Sequence, residues 1–136
     1  MNTAPWIARI ADQCPAFKFV GGALDLSETT LQAVQLPAAF VIPVAETGTA
    51  LTLDGAYSTP TQVWAVAIVQ KAMRTKASAD QSDALDTLRT SVKVALQGYR
   101  PSPQHAPAQF DSGQLDSMEA STVIWIDQYT TRIMPA

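Results

Sequence analysis

Apolar positions along this chain repeat with two periods, helical in some stretches and alternating in others. From Ser78 to Gly98, Leu85, Leu88, Val92, Ala95, Leu96 and then Tyr99 recur at three- and four-residue steps, which puts them on one face of a helix. Asp86, Arg89, Thr90, Lys93 and Gln97 fall mainly on the other side. Ser78 and Gln81 have capping-box spacing, with Asp80 or Ser82 as alternative caps. Asp80, Asp83 and Asp86 gather toward the N-terminal end and Arg89 and Lys93 lie further along, as the helix dipole favours. Gly98 is placed for a left-handed stop, and Pro101 and Pro103 prevent continuation. A shorter helix is expected from Pro5 to Gln13, with proline in its first turn and Trp6, Ile10 and Cys14 at four-residue spacing; Pro15 ends it.

The alternating stretches predict strands. Ala38 to Ala45 is one, and its Pro43, which has no N–H for a ladder, marks an edge or a bulge. Thr61 to Lys71 is apolar on both alternating faces, with Trp64, Val66 and Ile68 on one and Val63, Ala65, Ala67 and Val69 on the other. Such a strand is central and covered on both sides. Two runs, Ala108 to Met118 and Ser121 to Ile133, read as a closing hairpin with Val123–Ile126 as its buried part and Tyr129–Arg132 as a polar exit. Phe17, Phe19 and Val20 form a brief extended piece closed by a turn at Gly21-Gly22. A helical turn or two is expected between Asp25 and Ala33, with Ser27 as cap, and Arg100 to Pro107 is a rigid proline-rich connector. The expected fold is α+β: a single compact domain over residues 1–136, with a mostly antiparallel four- to five-stranded sheet and helices packed against it.

One stretch fits neither period. Glu46 to Pro60 is long, polar and glycine-bearing, with a turn signal at Asp54-Gly55. It also carries Leu51, Leu53 and Tyr57, more apolar surface than a solvated loop needs. Loops of this length are uncommon unless functional or disordered. Leu51, Leu53, Asp54, Gly55 and Tyr57 are therefore the candidate interface residues, to be buried against a partner.

Composition narrows the chemistry. The chain has 136 residues, 47% hydrophobic and 15% charged, enough for a core without metal or disulfide staples. No segment is long and apolar enough to span a bilayer, and the N-terminus shows no basic region followed by an apolar run, so neither a membrane role nor a signal peptide is expected. The lone Cys14 excludes an intramolecular disulfide and suits a reducing compartment. Net charge is −3, from 9 basic and 12 acidic residues. Counterion release from nucleic acid needs clustered Lys and Arg, and Lys71, Arg74 and Lys76 are too few for a duplex footprint.

One cysteine and one histidine cannot make a structural zinc site. The hairpin carboxylates Asp111, Asp116, Glu119 and Asp127 follow no calcium-loop pattern and read as exposed turn and edge charges. A Cys14–His105 nucleophilic pair is disfavoured, because Cys14 lies on an apolar helix stripe and His105 between prolines, solvated. No serine sits in a Gly-x-Ser-x-Gly elbow, and Gly21-Gly22 is no phosphate loop. Trp6, Trp64 and Trp125 could line a ligand pocket, but Trp64 and Trp125 fall in strands expected to be buried and read as core. No catalytic residue, cofactor or metal is assigned, and the chain is expected not to be an enzyme.

The order of segments resembles the tail terminator (tail-completion, minor tail protein) family of long-tailed bacteriophages. The resemblance rests on Leu36-Pro-Ala-Ala-Phe-Val-Ile-Pro-Val-Ala-Glu46, Gln62-Val-Trp-Ala-Val-Ala-Ile-Val69, the helix ending Ala95-Leu-Gln-Gly-Tyr-Arg-Pro101, and Phe110-Asp-Ser-Gly-Gln-Leu115 with the Trp125 strand and Gln128-Tyr-Thr-Thr-Arg132. It covers most of Leu36 to Ile133; Met1 to Gln35 matches only loosely. It implies a structural protein of the virion tail or neck, assembled in the host cytoplasm. Such a protein forms a homo-oligomeric ring, usually six-fold, that caps the tail tube, stops its polymerisation and offers a joining surface to a head-side connector. DNA would only pass through its channel, and residues 46–60 would order on ring formation. Alternatives are another neck component (a head-completion or connector protein), or a small ligand-binding domain or enzyme built on Trp64, Tyr57 and the hairpin carboxylates.

Overall fold

Because β3 (Thr61–Lys71) is apolar on both faces, it needs a neighbour on each side and a layer above and below, and it lies third in a five-stranded sheet. The structure is a computed structural model that describes residues 1–25, 35–48, 60–71, 78–118 and 122–134. In chain order its elements are α1 (Ala4–Gln13), β1 (Phe19–Gly22), a 3-10 turn at Ala23–Asp25, β2 (Ala38–Thr47), β3, α2 (Ser78–Leu96), β4 (Gln109–Met118) and β5 (Thr122–Arg132). The sheet order is β1-β2-β3-β5-β4, antiparallel throughout except that β1 runs parallel to β2. The fold is a single α+β domain with a mostly antiparallel sheet.

Both helices pack on one face of the sheet. Trp6 and Ile10 of α1, Cys14 just beyond it, and Leu88, Val92, Ala95 and Leu96 of α2 meet Ala39, Val41, Trp64, Val66, Ile68 and Tyr129. Burying each large apolar side chain of this kind contributes about 1.5–3 kcal/mol, so the two amphipathic stripes suffice to hold the helices down. Trp6 stacks tilted on Trp64 with ring centroids 4.9 Å apart and meets Tyr99 edge-on. The opposite face carries a second cluster of Ala38, Phe40, Ala67 and Val69, against which Phe19, Leu36, Ile42, Ile124 and Ile126 pack.

Helix α2 stops at Leu96, two residues before the expected boundary, although the Gln97 N–H still donates to the Lys93 carbonyl at 2.8 Å. Gly98 then takes φ +80°, the left-handed conformation that costs a side-chain-bearing residue most. The Gly98 N–H donates to the Ala108 carbonyl and the Ala108 N–H to the Tyr99 carbonyl, both at 2.8 Å, which stitches the helix end to the start of β4. Pro43 answers to both expectations at once. Strand β1 pairs with β2 only over 38–41, so at Pro43 the side of β2 away from β3 has no strand partner among the described residues. Between Pro43 and Ala45 the β2–β3 register also shifts.

Four expectations are corrected. Strand β2 runs on to Thr47, with Glu46 opposite Gln62 and Thr47 opposite Thr61, so the long loop starts later than its polarity suggests. Gly21 and Gly22 form part of β1 and are not a turn. In β5 the buried positions are Asp127, Tyr129 and Thr131, while residues 123–126 are half-buried, the reverse of the expected order. Register explains this: Asp127, Tyr129 and Thr131 stand opposite Val66, Trp64 and Gln62, on the face the helices cover. Accordingly Trp125, expected in the core, is half-buried. The helical turn expected over residues 25–33 falls mostly outside the described residues.

Candidate functional site

Leu51, Leu53, Asp54, Gly55 and Tyr57, the candidate interface residues, lie outside the described residues. The described chain does fix the base from which that segment departs. Thr47 and Thr61 form the last pair of the β2–β3 ladder, and a side-chain network lies beside them. The Gln62 amide donates from Nε2 to Glu46 Oε2 at 3.0 Å, and its Oε1 accepts from Trp64 Nε1 at 3.2 Å. His105 Nε2 lies 3.3 Å from the same Oε1, and its Nδ1 lies 2.7 Å from Ser102 Oγ. Since Oε1 only accepts, Nε2 carries the proton and Nδ1 accepts from the serine hydroxyl. Arg100 holds the connector from within, donating to the carbonyls of Pro103 and His105.

His105 is thus a bound strut and not the solvated side chain its proline neighbours suggest; burial pushes its pKa down from the ordinary histidine value. A cleft of about 270 Å³ opens alongside, lined by Pro5, Trp6, Gln62, Trp64, Ser102 and His105 among others. Gln62, Trp64, Ser102 and His105 are engaged with one another, whereas the Trp6 Nε1–H beside them is buried with no partner among the described residues; no carboxylate lines the cleft.

Of the hairpin carboxylates, Asp111, Asp116 and Asp127 do not converge, and Glu119 lies outside the described residues. Asp127 is fully buried and ion-paired with Arg89, Nη2 to Oδ1 at 3.0 Å and Nε to Oδ2 at 3.1 Å. Trp125 Nε1 donates to the same Oδ1 at 2.8 Å, and the Arg89 guanidinium lies over the Trp125 ring, 4.3 Å from its centre. Arg89 therefore belongs to the sheet-facing side of α2, not to its solvated side. Opposite Asp127 stands Gly113, where an added Cβ would lie 2.2 Å from Asp127 Oδ1 and 2.8 Å from Arg89 Nη2. The glycine is there for space. Trp125 and Asp127 are two apart on one strand and so share a face; that spacing, beside a helical arginine, was the available signal for the pair.

Asp111 and Asp116 are the exposed members, and both lie on β4, the last strand of the sheet. The β4–β5 register shifts twice, between Phe110 and Ser112 and between Leu115 and Ser117, so each aspartate is the extra residue of a bulge. Cys14 is buried, with Ser91 as its polar neighbour and a thiol pKa pushed up by burial, and it makes no pair with His105. Among the described residues, no three of His, Cys, Asp and Glu come together as metal ligands, and no helix is long and apolar enough to cross a membrane.

The fold is thus a small α+β domain in which the buried titratable groups Asp127 and Cys14 take part in packing between helix and sheet. The phage tail terminator protein model matches residues 1–136, the whole chain, and the chain belongs to that family. Its role is accordingly structural, in tail completion, and it is a component of the virion tail. No curated protein matches the chain.

Proposed function

We propose that this protein assembles into a homo-oligomeric ring, six-fold on the resemblance, that caps the finished tail tube, ends its polymerisation and presents a joining surface to a head-side connector. The whole-chain family match carries this reading. The fold is consistent with it: a sheet with two unlike ends gives the non-identical surfaces that a head-to-tail contact needs, and such a contact closes into a ring when its rotation closes. On this reading the protein works without catalysis, cofactor or metal, and DNA passes its channel without being gripped. Assembly takes place in the host cytoplasm, with the segment carrying Leu51, Leu53, Asp54, Gly55 and Tyr57 at the contact with the tube or the next subunit.

The test is tube growth in vitro. Purified tail-tube protein polymerising on an initiator should stop growing when this chain is added in excess, and the capped ends should carry it in ring stoichiometry. Continued growth, together with binding to portal protein, would instead assign it to the head side of the neck.

A further inference from the structure

We propose that β4 is one half of a head-to-tail interface between copies of this chain, and that the opposite sheet end, β1 with Lys18 and Leu24, is the other half. The proposal rests on the ring reading above and specifies which surfaces close the ring.

Among the described residues strand β4 pairs with β5 on one side only and ends the sheet; all ten of its residues are exposed or half-exposed. An uncovered strand edge is a template for another strand, and soluble proteins guard such edges with charge and bulges. Here both guards coincide at Asp111 and Asp116, with no cation on the strand. Between the two bulges, residues 112–115 keep regular register with β5, a run of four. Leu115 and Met118 stand 46% and 68% exposed beside it.

The other end of the sheet offers an exposed cation and an exposed apolar side chain beside a short strand, with the one carboxylate there, Asp25, already accepting from the Gly22 N–H. Strand β1 is also four residues long. Lys18, exposed, immediately precedes it and is fixed by its N–H bond to the Pro37 carbonyl; Leu24, 96% exposed, follows it. A two-fold pairing of β4 with another β4 would set Asp111 and Asp116 of one copy against those of its partner, and like charges facing each other across strands destabilise the pair. The acidic edge therefore excludes the symmetric dimer and accepts the edge bearing the lysine and the apolar side chain. With the β4–β4 two-fold contact disfavoured, pairing of β4 with the β1 edge of the next copy is head-to-tail, and it makes a ring when its rotation closes.

The experiment is sedimentation over a concentration series for the full chain, with wild type, Lys18→Glu, Asp111→Lys with Asp116→Lys, and all three together. Hydrogen exchange on residues 112–115 is followed in parallel, and circular dichroism confirms that each variant is folded. Lys18→Glu and the double aspartate variant should each raise the concentration for half-association at least tenfold, and the combined charge swap should recover most of that loss. Amides 112–115 should become protected on association. Association unchanged in every variant, or amides 112–115 exchanging as fast in the assembly as in the monomer, would overturn the β4 assignment and leave the ring reading standing. A wild-type chain that stays monomeric at every concentration and beside tail-tube protein would overturn both.

Discussion

Asp127 is the residue on which most of the local order of the hairpin depends. It is the one fully buried carboxylate among the described residues, and it binds the helix through Arg89, the strand through Trp125 and leaves no room at Gly113 for a side chain. Removing one partner of a buried ion pair strands the other charge, so Asp127→Ala should cost about 3–5 kcal/mol in denaturant unfolding, and Arg89→Met with Asp127→Leu should recover a large part of that. His105 makes a different prediction. Its pKa is lowered on folding, so its contribution is fully present above the ordinary value of 6.5 and is lost as pH falls through the lowered one. The stability difference between wild type and His105→Gln should hold steady above pH 6.5 and shrink below it, measured as unfolding midpoints across pH. The role of His105 was not legible in the sequence, and that of Asp127 only as a spacing shared with Trp125. A charge between turns looks solvated, and only the register of β5 against β3 shows that Asp127 faces the helices.

At the scale of elements, sequence reading succeeded where one residue pattern decides burial. The stripe of α2 and the two-faced run of β3 each require cover, and each is covered. Leu88→Ala should therefore cost about 2–5 kcal/mol, as buried truncations do, while Val94→Ala on the same helix, 75% exposed, should change stability by less than about 0.5 kcal/mol. Chemical unfolding of the two variants side by side tests this. Reading failed where burial depends on a neighbour. Residues 123–126 have the composition of a core strand, but the cover on β5 falls at Asp127, Tyr129 and Thr131, opposite Val66, Trp64 and Gln62, and residues 123–126 remain half-buried. Alternation tells which residues share a face; it does not tell whether another layer covers that face. Pro43 was read correctly because its effect is local, a missing donor, whatever lies around it.

For the whole molecule the expected separation is between scaffold and contact. Changing Leu51 and Leu53 together to Ser should leave the thermal midpoint of the isolated subunit within about 2 °C and weaken ring or tube association, seen as a shift in sedimentation; unfolding instead would place those residues in the core. The three antiparallel ladders also differ in continuity. The β3–β5 ladder runs unbroken from Thr61 opposite Arg132 to Lys71 opposite Thr122, the β2–β3 ladder shifts once, and the β4–β5 ladder shifts twice. A continuous ladder pulled along its strands must yield in shear, with its bonds sharing the load, whereas a bulge is a point where yielding starts. Ladder continuity in this chain thus falls from β3–β5 toward β4, so strain delivered along the β4 margin is expected to be taken up at its two bulges before it reaches the unbroken central ladder.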